Sequence, residues 1–266
     1  MRRYPILIGT AFLIIALTGP ALTQSPYERS LSKDGWIAGG SAAAGIAALV
    51  SRTPQPLTAQ EVGRLSRESV NRFDRSATYN WSTNIGSASD VVVGAIVAAP
   101  LLLLIDERTR GDWQTCTLMY AETMALAVIL PACGKGTVDR IRPFVYDPSA
   151  PMDRKTTSDA RKSFFSRHTS AAFASAVFLS TVYGDYHPRS AAGPYVWAGS
   201  LLAAAAVGIM RYEAGEHFPS DCIAGAVAGC AAGYLIPRLH RLGGRSMSLV
   251  PFYGGSPASV ALLLRI

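Results

Sequence analysis

An all-α bundle of about six core helices, embedded in a membrane or held against one, is the fold that this 266-residue sequence predicts. Three observations point there. Hydrophobic residues make up 49% of the chain and charged residues only 16%, which is lean for a soluble protein. The apolar surplus is mainly Ala, Val, Leu and Gly, gathered into blocks of about 15 residues, the length of a short helix and far longer than a strand. Gly225, Gly229 and Gly233 recur at every fourth position of the last block, a stripe of small residues that lets two helix backbones approach closely. The length allows one large domain or two small ones with a sizeable core.

In chain order, residues 1–25 carry a basic start, an apolar run over 6–17 and small residues after Pro20. This pattern predicts an export signal, or an N-terminal membrane anchor if it stays uncut. Residues 34–50 form a first apolar helix. The polar stretch 51–84 opens with Thr58 as N-cap and Glu61 three residues later as its capping-box partner. Its periodicity predicts an amphipathic surface or interfacial helix, or a solvated connecting one. Apolar blocks follow at 91–105, 118–133, 171–182, 195–210 and 222–236. The first of these would be about 22 Å long as a helix, against a hydrocarbon core of about 30 Å. It is bounded by Asp90 and Asp106 and interrupted by Pro100, so hydropathy alone does not separate spanning helices from a very apolar bundle. The tail, "SMSLVPFYGGSPASVALLLRI", predicts an extended terminal segment.

The formal charge is +7 and the pI about 9.4. A basic balance suits nucleic acid, an anionic membrane or an anionic substrate. The absence of a long basic run or of interleaved aromatic and basic residues argues against nucleic acid. The four cysteines, Cys116, Cys133, Cys222 and Cys230, lie in apolar segments with no metal-binding spacing, as small core residues do. No carboxylate cluster suited to magnesium stands out, and neither a metal nor a cofactor is expected.

Three polar motifs interrupt the apolar blocks. "KGTVDRIRP" contains Lys135, Arg142 and Pro143; alone it resembles a basic helix end stopped by proline. It lacks the glycine and the Ser/Thr that a phosphate-binding P-loop requires. "SFFSRHTS" places Ser166 and His168 where a helix begins, and a helix start offers free N–H groups and a positive dipole end to an anion. Ser166 or Thr169 alone would simply cap that helix. "RYEAGEHFPSD" brings Arg211, His217 and Asp221 between two Ala/Gly-rich helices. Pro219 fits the first helical position, which sets Asp221 in the first turn and His217 just before it. A carboxylate there can bond one imidazole nitrogen and leave the other unprotonated and nucleophilic. Three permanent cations at three helix ends, Lys135, Arg142 and Arg211, suit the oxygens of a phosphoryl group.

The order Lys-x6-Arg-Pro, Ser-x-His, Arg-x5-His-x3-Asp resembles the type 2 phosphatidic acid phosphatase (PAP2) superfamily, which includes bacterial acid phosphatases and vanadium haloperoxidases. The three signatures span 135–221, and the flanking helices extend the likeness over most of 34–240. The resemblance implies a phosphatase domain over 26–240, followed by a C-terminal extension over 241–266. It also implies a division of labour. His217, oriented by Asp221, attacks phosphorus; His168 protonates the leaving oxygen; Lys135, Arg142, Arg211 and Ser166 hold the phosphate; no metal is needed. The middle signature usually reads Pro-Ser-Gly-His, whereas this chain has Phe165-Ser166-Arg167-His168. Arg167 therefore either strains a turn built for glycine or adds a phosphate contact. Glu213 and Glu216 receive no role.

The expected substrate is a phosphomonoester or diphosphate of an envelope lipid, such as phosphatidic acid, an isoprenoid phosphate or a lipid A type molecule. A soluble periplasmic acid phosphatase of broad specificity is the alternative, followed by a vanadium haloperoxidase and a silent lipid-binding protein. The expected partners are the phosphorylated lipid or a small phosphate ester, and the membrane. The expected location is the inner membrane with a periplasm-facing site, or the periplasm. A retained first span, with 34–50 not crossing, gives six spans and an outward-facing site. A cleaved signal with 34–50 crossing turns the site to the cytoplasm, and a cleaved signal with no spans leaves it outside.

Overall fold

The computed structural model describes residues 25–50, 54–242, 247–252 and 259–264. The expected export signal or anchor over 1–25 lies almost wholly outside the described residues. Six long helices are present among them: α1 (Leu31–Val50), α3 (Thr83–Ala98), α4 (Trp113–Thr137), α6 (Arg167–Tyr186), α7 (Gly193–Glu213) and α8 (Pro219–His240). Two short helices, α2 (Ala59–Gly63) and α5 (Met152–Lys155), lie in the connections. The tail forms an antiparallel hairpin of β1 (Met247–Phe252) and β2 (Ser259–Leu264), with Met247 opposite Leu264.

Local chemistry sets the helix ends. Ser82 caps α3 by accepting from the Ile85 N–H, and Ser166 caps α6 by accepting from the Thr169 N–H. Pro100 removes one ladder donor, and the chain continues from α3 as a tighter 3₁₀ run over Ala99–Leu104. The Thr58–Glu61 capping box forms, but α2 is only five residues long. The expected amphipathic helix in 51–84 is thus replaced by a single turn and two 3₁₀ turns. The reason is tertiary: Arg67 donates to the Tyr146 carbonyl and Asp74 is engaged by Arg140, while within the stretch Arg75 donates to the Glu68 and Val70 carbonyls. These bonds fold the stretch down over a small core of Leu57, Phe144, Val145, Ala150 and Ala160.

α6 is the central element, enclosed by α3, α4, α7 and α8. Its inward residues are small or weakly polar, including Ala172, Ser175, Ala176, Ser180 and Thr181, all buried. The glycine stripe of α8 docks on it. A Cβ at Gly225 would sit 2.6 Å from the Ser166 carbonyl oxygen, at Gly229 2.2 Å from that of Ser170, and at Gly233 2.5 Å from that of Ala174. Four-residue steps on both helices, in the same direction, make α6 and α8 parallel and put their N-termini side by side. A second core, with Met119, Phe178, Val182, Tyr186 and Ile236, fills the space between α4, α6 and α8 further along.

Four helical stretches are long and apolar enough to cross a membrane: Thr83–Leu104, Arg110–Thr137, Gly193–Glu213 and Pro219–His240. Protein covers at most 39% of their apolar windows. Trp36, Leu102, Tyr195, Leu202 and Val227 stand largely exposed on the bundle's outside. Such faces are satisfied by lipid and costly in water, so the fold is that of a membrane-embedded helical bundle.

Candidate active site

Four helix ends meet at one end of the bundle: the C-terminal ends of α4 and α7, which carry Lys135 and Arg211, and the N-terminal ends of α6 and α8. The α4–α6 connection lies across them. Its residues 140–142 pair with 160–163 like neighbouring strands, through Arg142 N–H to the Ala160 carbonyl (2.8 Å) and Ser163 N–H to the Arg140 carbonyl (3.0 Å). This pairing sets Arg142 against Ala160 and Arg140 against Ser163.

Beyond α7 the chain turns sharply. Gly215 takes φ +71°, and the Glu216 and His217 N–H groups fold back onto the Arg211 carbonyl. Glycine is required twice over, because its left-handed backbone disfavours a side chain and a Cβ would lie 2.0 Å from the Asn80 carbonyl oxygen. The turn drops His217 into the protein, where it is 1% exposed.

The His217 Nδ1–H donates to the Ser163 carbonyl at 2.8 Å, which leaves Nε2 with the lone pair. The expected direct bond from Asp221 is not formed; its Oδ2 stands 3.8 Å from Nδ1. Asp221 is instead spent on the loops around the histidine. It accepts from the Ser163 hydroxyl, from the Phe218 N–H (3.0 Å) and from Arg140. The physical reason is position: at the third residue of α8 its carboxylate turns back onto the helix's free N–H groups, and Arg140 draws it further. Asp221 thus reaches His217 through Ser163, whose hydroxyl it accepts from and whose carbonyl takes the Nδ1–H. Arg140 also pairs with Asp74 at 2.7 Å, and Asp74 accepts from the Ser220 N–H and hydroxyl.

Three basic residues and both histidines act on one another. Burial first, then the charges of Arg142, Lys135 and Arg211, holds His217 well below the usual imidazole range. Burial and the Arg211 charge push His168 down to about 4, with Asp90 opposing them. His168 is more open than His217, and its Nε2 lies 3.0 Å from the Asp90 carboxylate. Arg211 donates to the Ser89 hydroxyl at 3.0 Å and faces Asp90 at 3.4 Å. Glu216, given no role by the sequence, bridges Arg142, Arg154 and Arg211. Asp159 takes the other face of Arg142.

Ser166 is fully buried, and its hydroxyl accepts from the Thr169 N–H and Thr169 hydroxyl. It holds the start of α6 and donates its own N–H to the Asp221 carbonyl. Arg167 is the first residue of α6 and is exposed. Of the two alternatives for Arg167, a turn strained by positive φ is absent, since among the described residues only Gly215 has a positive φ. The first helical position needs no left-handed backbone, so an arginine is accommodated there with its side chain exposed.

Sequence reasoning thus located Lys135, Arg142, His168, Arg211, His217 and Asp221 in one cluster and missed Arg140, Ser163, Asp74, Asp90 and Glu216. Arg140 had a legible signal: an extended Arg-Ile-Arg places both arginines on one side, with Ile141 on the apolar other. Ser163 had none, because its main contribution is a backbone carbonyl.

Residues 117–244 match the PAP2 superfamily. Among solved structures the chain is similar to the crystal structure of a transmembrane PAP2 type phosphatidylglycerolphosphate phosphatase from Bacillus subtilis. The two are 16% identical, with a TM-score of 0.43, over 77% of this chain and 94% of the other. No curated protein matches the sequence.

Proposed function

On the premise that residues 117–244 place the chain in the PAP2 superfamily, we propose that it is a phosphatase of an envelope lipid working through a phosphohistidine. The observation that carries this is His217: a buried imidazole with Nδ1–H fixed on a carbonyl, within the field of Lys135, Arg142 and Arg211. A neutral imidazole so held presents its Nε2 lone pair in a positive pocket, where a phosphoryl group would be drawn and its charge offset.

In the first step the Nε2–P bond forms as the ester or anhydride P–O bond breaks, and His168 gives its proton to the leaving oxygen. In the second, water attacks phosphorus, His168 takes the water's proton, and the P–N bond breaks to release inorganic phosphate and free His217. Lys135, Arg142 and Arg211 hold the equatorial oxygens through both steps, and Asp90 keeps His168 turned toward the site. The chemistry uses these side chains and no metal. The exposed apolar faces favour a substrate that arrives along the bilayer, such as phosphatidic acid, an isoprenoid phosphate or a lipid A type phosphate. The site is proposed to face the periplasm.

The test is phosphate release by wild type and His217→Ala on phosphatidic acid, an isoprenoid diphosphate and a soluble aryl phosphate, with and without chelator. Expected are turnover on at least one lipid, a loss of about 1,000-fold or more in the variant, and initial rates indifferent to chelator. A folded wild type that binds these lipids without turning any over would overturn the enzymatic reading, and preference for the aryl phosphate would overturn the lipid.

A further inference from the structure

A second cluster of chemistry-bearing side chains lies away from this site. Asp34 in the first turn of α1, Glu122 within α4 and His240 at the end of α8 offer one ligand atom each, all within 4.8 Å of one another. His240 and Glu122 are buried, and Asp34 is partly open, its side chain 15% exposed. The cluster sits about 28 Å along α8 from Asp221, at the other end of that helix.

Its internal bonding is incomplete in one particular way. The His240 Nδ1–H donates to the Ile236 carbonyl at 2.9 Å, which turns Nε2 into the cluster, there to carry a proton or to offer its lone pair. Nε2 lies 3.0 Å from Asp34 Oδ1 and 3.3 Å from Glu122 Oε2. Neither Glu122 oxygen receives a hydrogen bond among the described residues, although the residue is only 5% exposed. A lone pair and two carboxylates turned toward one another repel unless a positive charge stands between them. A proton on Nε2 can be donated to one carboxylate, Asp34, and leaves the buried Glu122 oxygens without a hydrogen-bond donor. A metal ion serves all three.

We propose that Asp34, Glu122 and His240 bind one divalent first-row cation of the zinc type, and that this ion ties α1 to α4 and α8. The donor set is one imidazole nitrogen and two carboxylates, with a fourth position left for water, which suits zinc better than magnesium or calcium. Donor atoms around a tetrahedral ion with bonds of about 2.1 Å lie about 3.4 Å apart, close to the 3.0 and 3.3 Å from Nε2 to the two carboxylates. The Ile236 carbonyl is the orienting partner that a metal-bound histidine has on its other nitrogen. The partly open Asp34 gives an entry path. The chain already converges here, with the Glu28 N–H on the His240 carbonyl (2.7 Å) and the Leu242 N–H on the Pro26 carbonyl (2.9 Å). The ion would close that junction.

The probe is Zn²⁺ alone, on chelator-stripped full-length protein, read by metal content and thermal unfolding, with Mg²⁺ as the contrasting ion. Expected are one tightly held Zn²⁺ per chain, a raised Tm with Zn²⁺ and none with Mg²⁺. Glu122→Gln and Asp34→Asn should each weaken Zn²⁺ binding about tenfold or more, while His217→Ala, at the other end of α8, keeps it. Should Glu122→Gln fail to fold, Asp34→Asn, on a partly open side chain, decides. No saturable Zn²⁺, uptake unchanged in the cluster variants, or uptake lost in His217→Ala would each overturn the proposal. The first of these would leave a proton-only network, and the last would move the ion to the phosphate site.

Discussion

At the residue scale, the two histidines of the candidate active site share a field but have opposite requirements in the proposed mechanism. His217 must be neutral to attack, and burial with three nearby cations keeps it so well below the usual imidazole pKa. His168 must carry a proton to serve as acid, and in the free protein it is pushed down to about 4. The acid form is therefore lost as pH rises above about 4, so kcat/KM is expected to fall from mildly acidic to neutral pH. A pH–rate profile rising toward alkaline pH would refute this assignment. The stability linkage has a definite sign as well. His217, depressed in the folded state, favours folding above the unfolded pKa of about 6.5, and that contribution is lost as pH falls below it.

Glu216 illustrates a different balance. It neutralises Arg142 and Arg211, whose side chains are 6% and 7% exposed. Glu216→Gln leaves buried cations short of a partner, at an expected cost of roughly 3 kcal/mol in chemical unfolding. Inorganic phosphate should then raise Tm more in this variant than in wild type, because the anion replaces the lost charge. An equal phosphate response in both proteins would separate Glu216 from the cations proposed to bind phosphate.

At the element scale, the parallel docking of α6 and α8 is what assembles the site. Gly229→Ala drives a Cβ into the Ser170 carbonyl oxygen and the Ala174 nitrogen, and neither helix backbone can yield locally. The expected cost is about 1–3 kcal/mol, with a drop in turnover because Ser163 and His217 belong to segments joined to opposite helices. Gly94→Ala, on α3 with open space around it, should leave Tm unchanged or slightly raised, since alanine is the better helix former. Thermal unfolding of the two variants side by side isolates packing from propensity.

At the scale of the whole molecule, the four apolar stretches present most of their surface outward. The protein is expected to stay with the membrane fraction after an alkaline wash and to need detergent for release; recovery in the soluble fraction would contradict the embedding. Lys135, Arg211 and the N-termini of α6 and α8 share one end of the bundle, so the candidate site faces one side of the bilayer, whichever side that is. The Asp34–Glu122–His240 cluster lies toward the other end of α8.

What the sequence by itself determined is local in origin. Helices occur where apolar blocks of sufficient length lie between polar residues; α4, α6, α7 and α8 extend past their blocks at both ends, whereas α3 starts early and stops at Ala98, inside its block, where Pro100 turns the chain into a 3₁₀ run. The ordered basic and histidine motifs fell at the helix ends because polar residues interrupting apolar runs have nowhere else to go. The expected helix beyond Thr58 shortened because long-range bonds to Tyr146 and Arg140 outweighed local periodicity. Only the tertiary structure decided that a backbone carbonyl, that of Ser163, holds His217, that Asp221 is drawn to Arg140, and that Glu216 and Asp90 face the cations. It alone brought Asp34, Glu122 and His240 together from three helices. A carbonyl has no residue-type signature, and a contact between distant positions depends on how helices dock, which the spacing within any one helix does not encode.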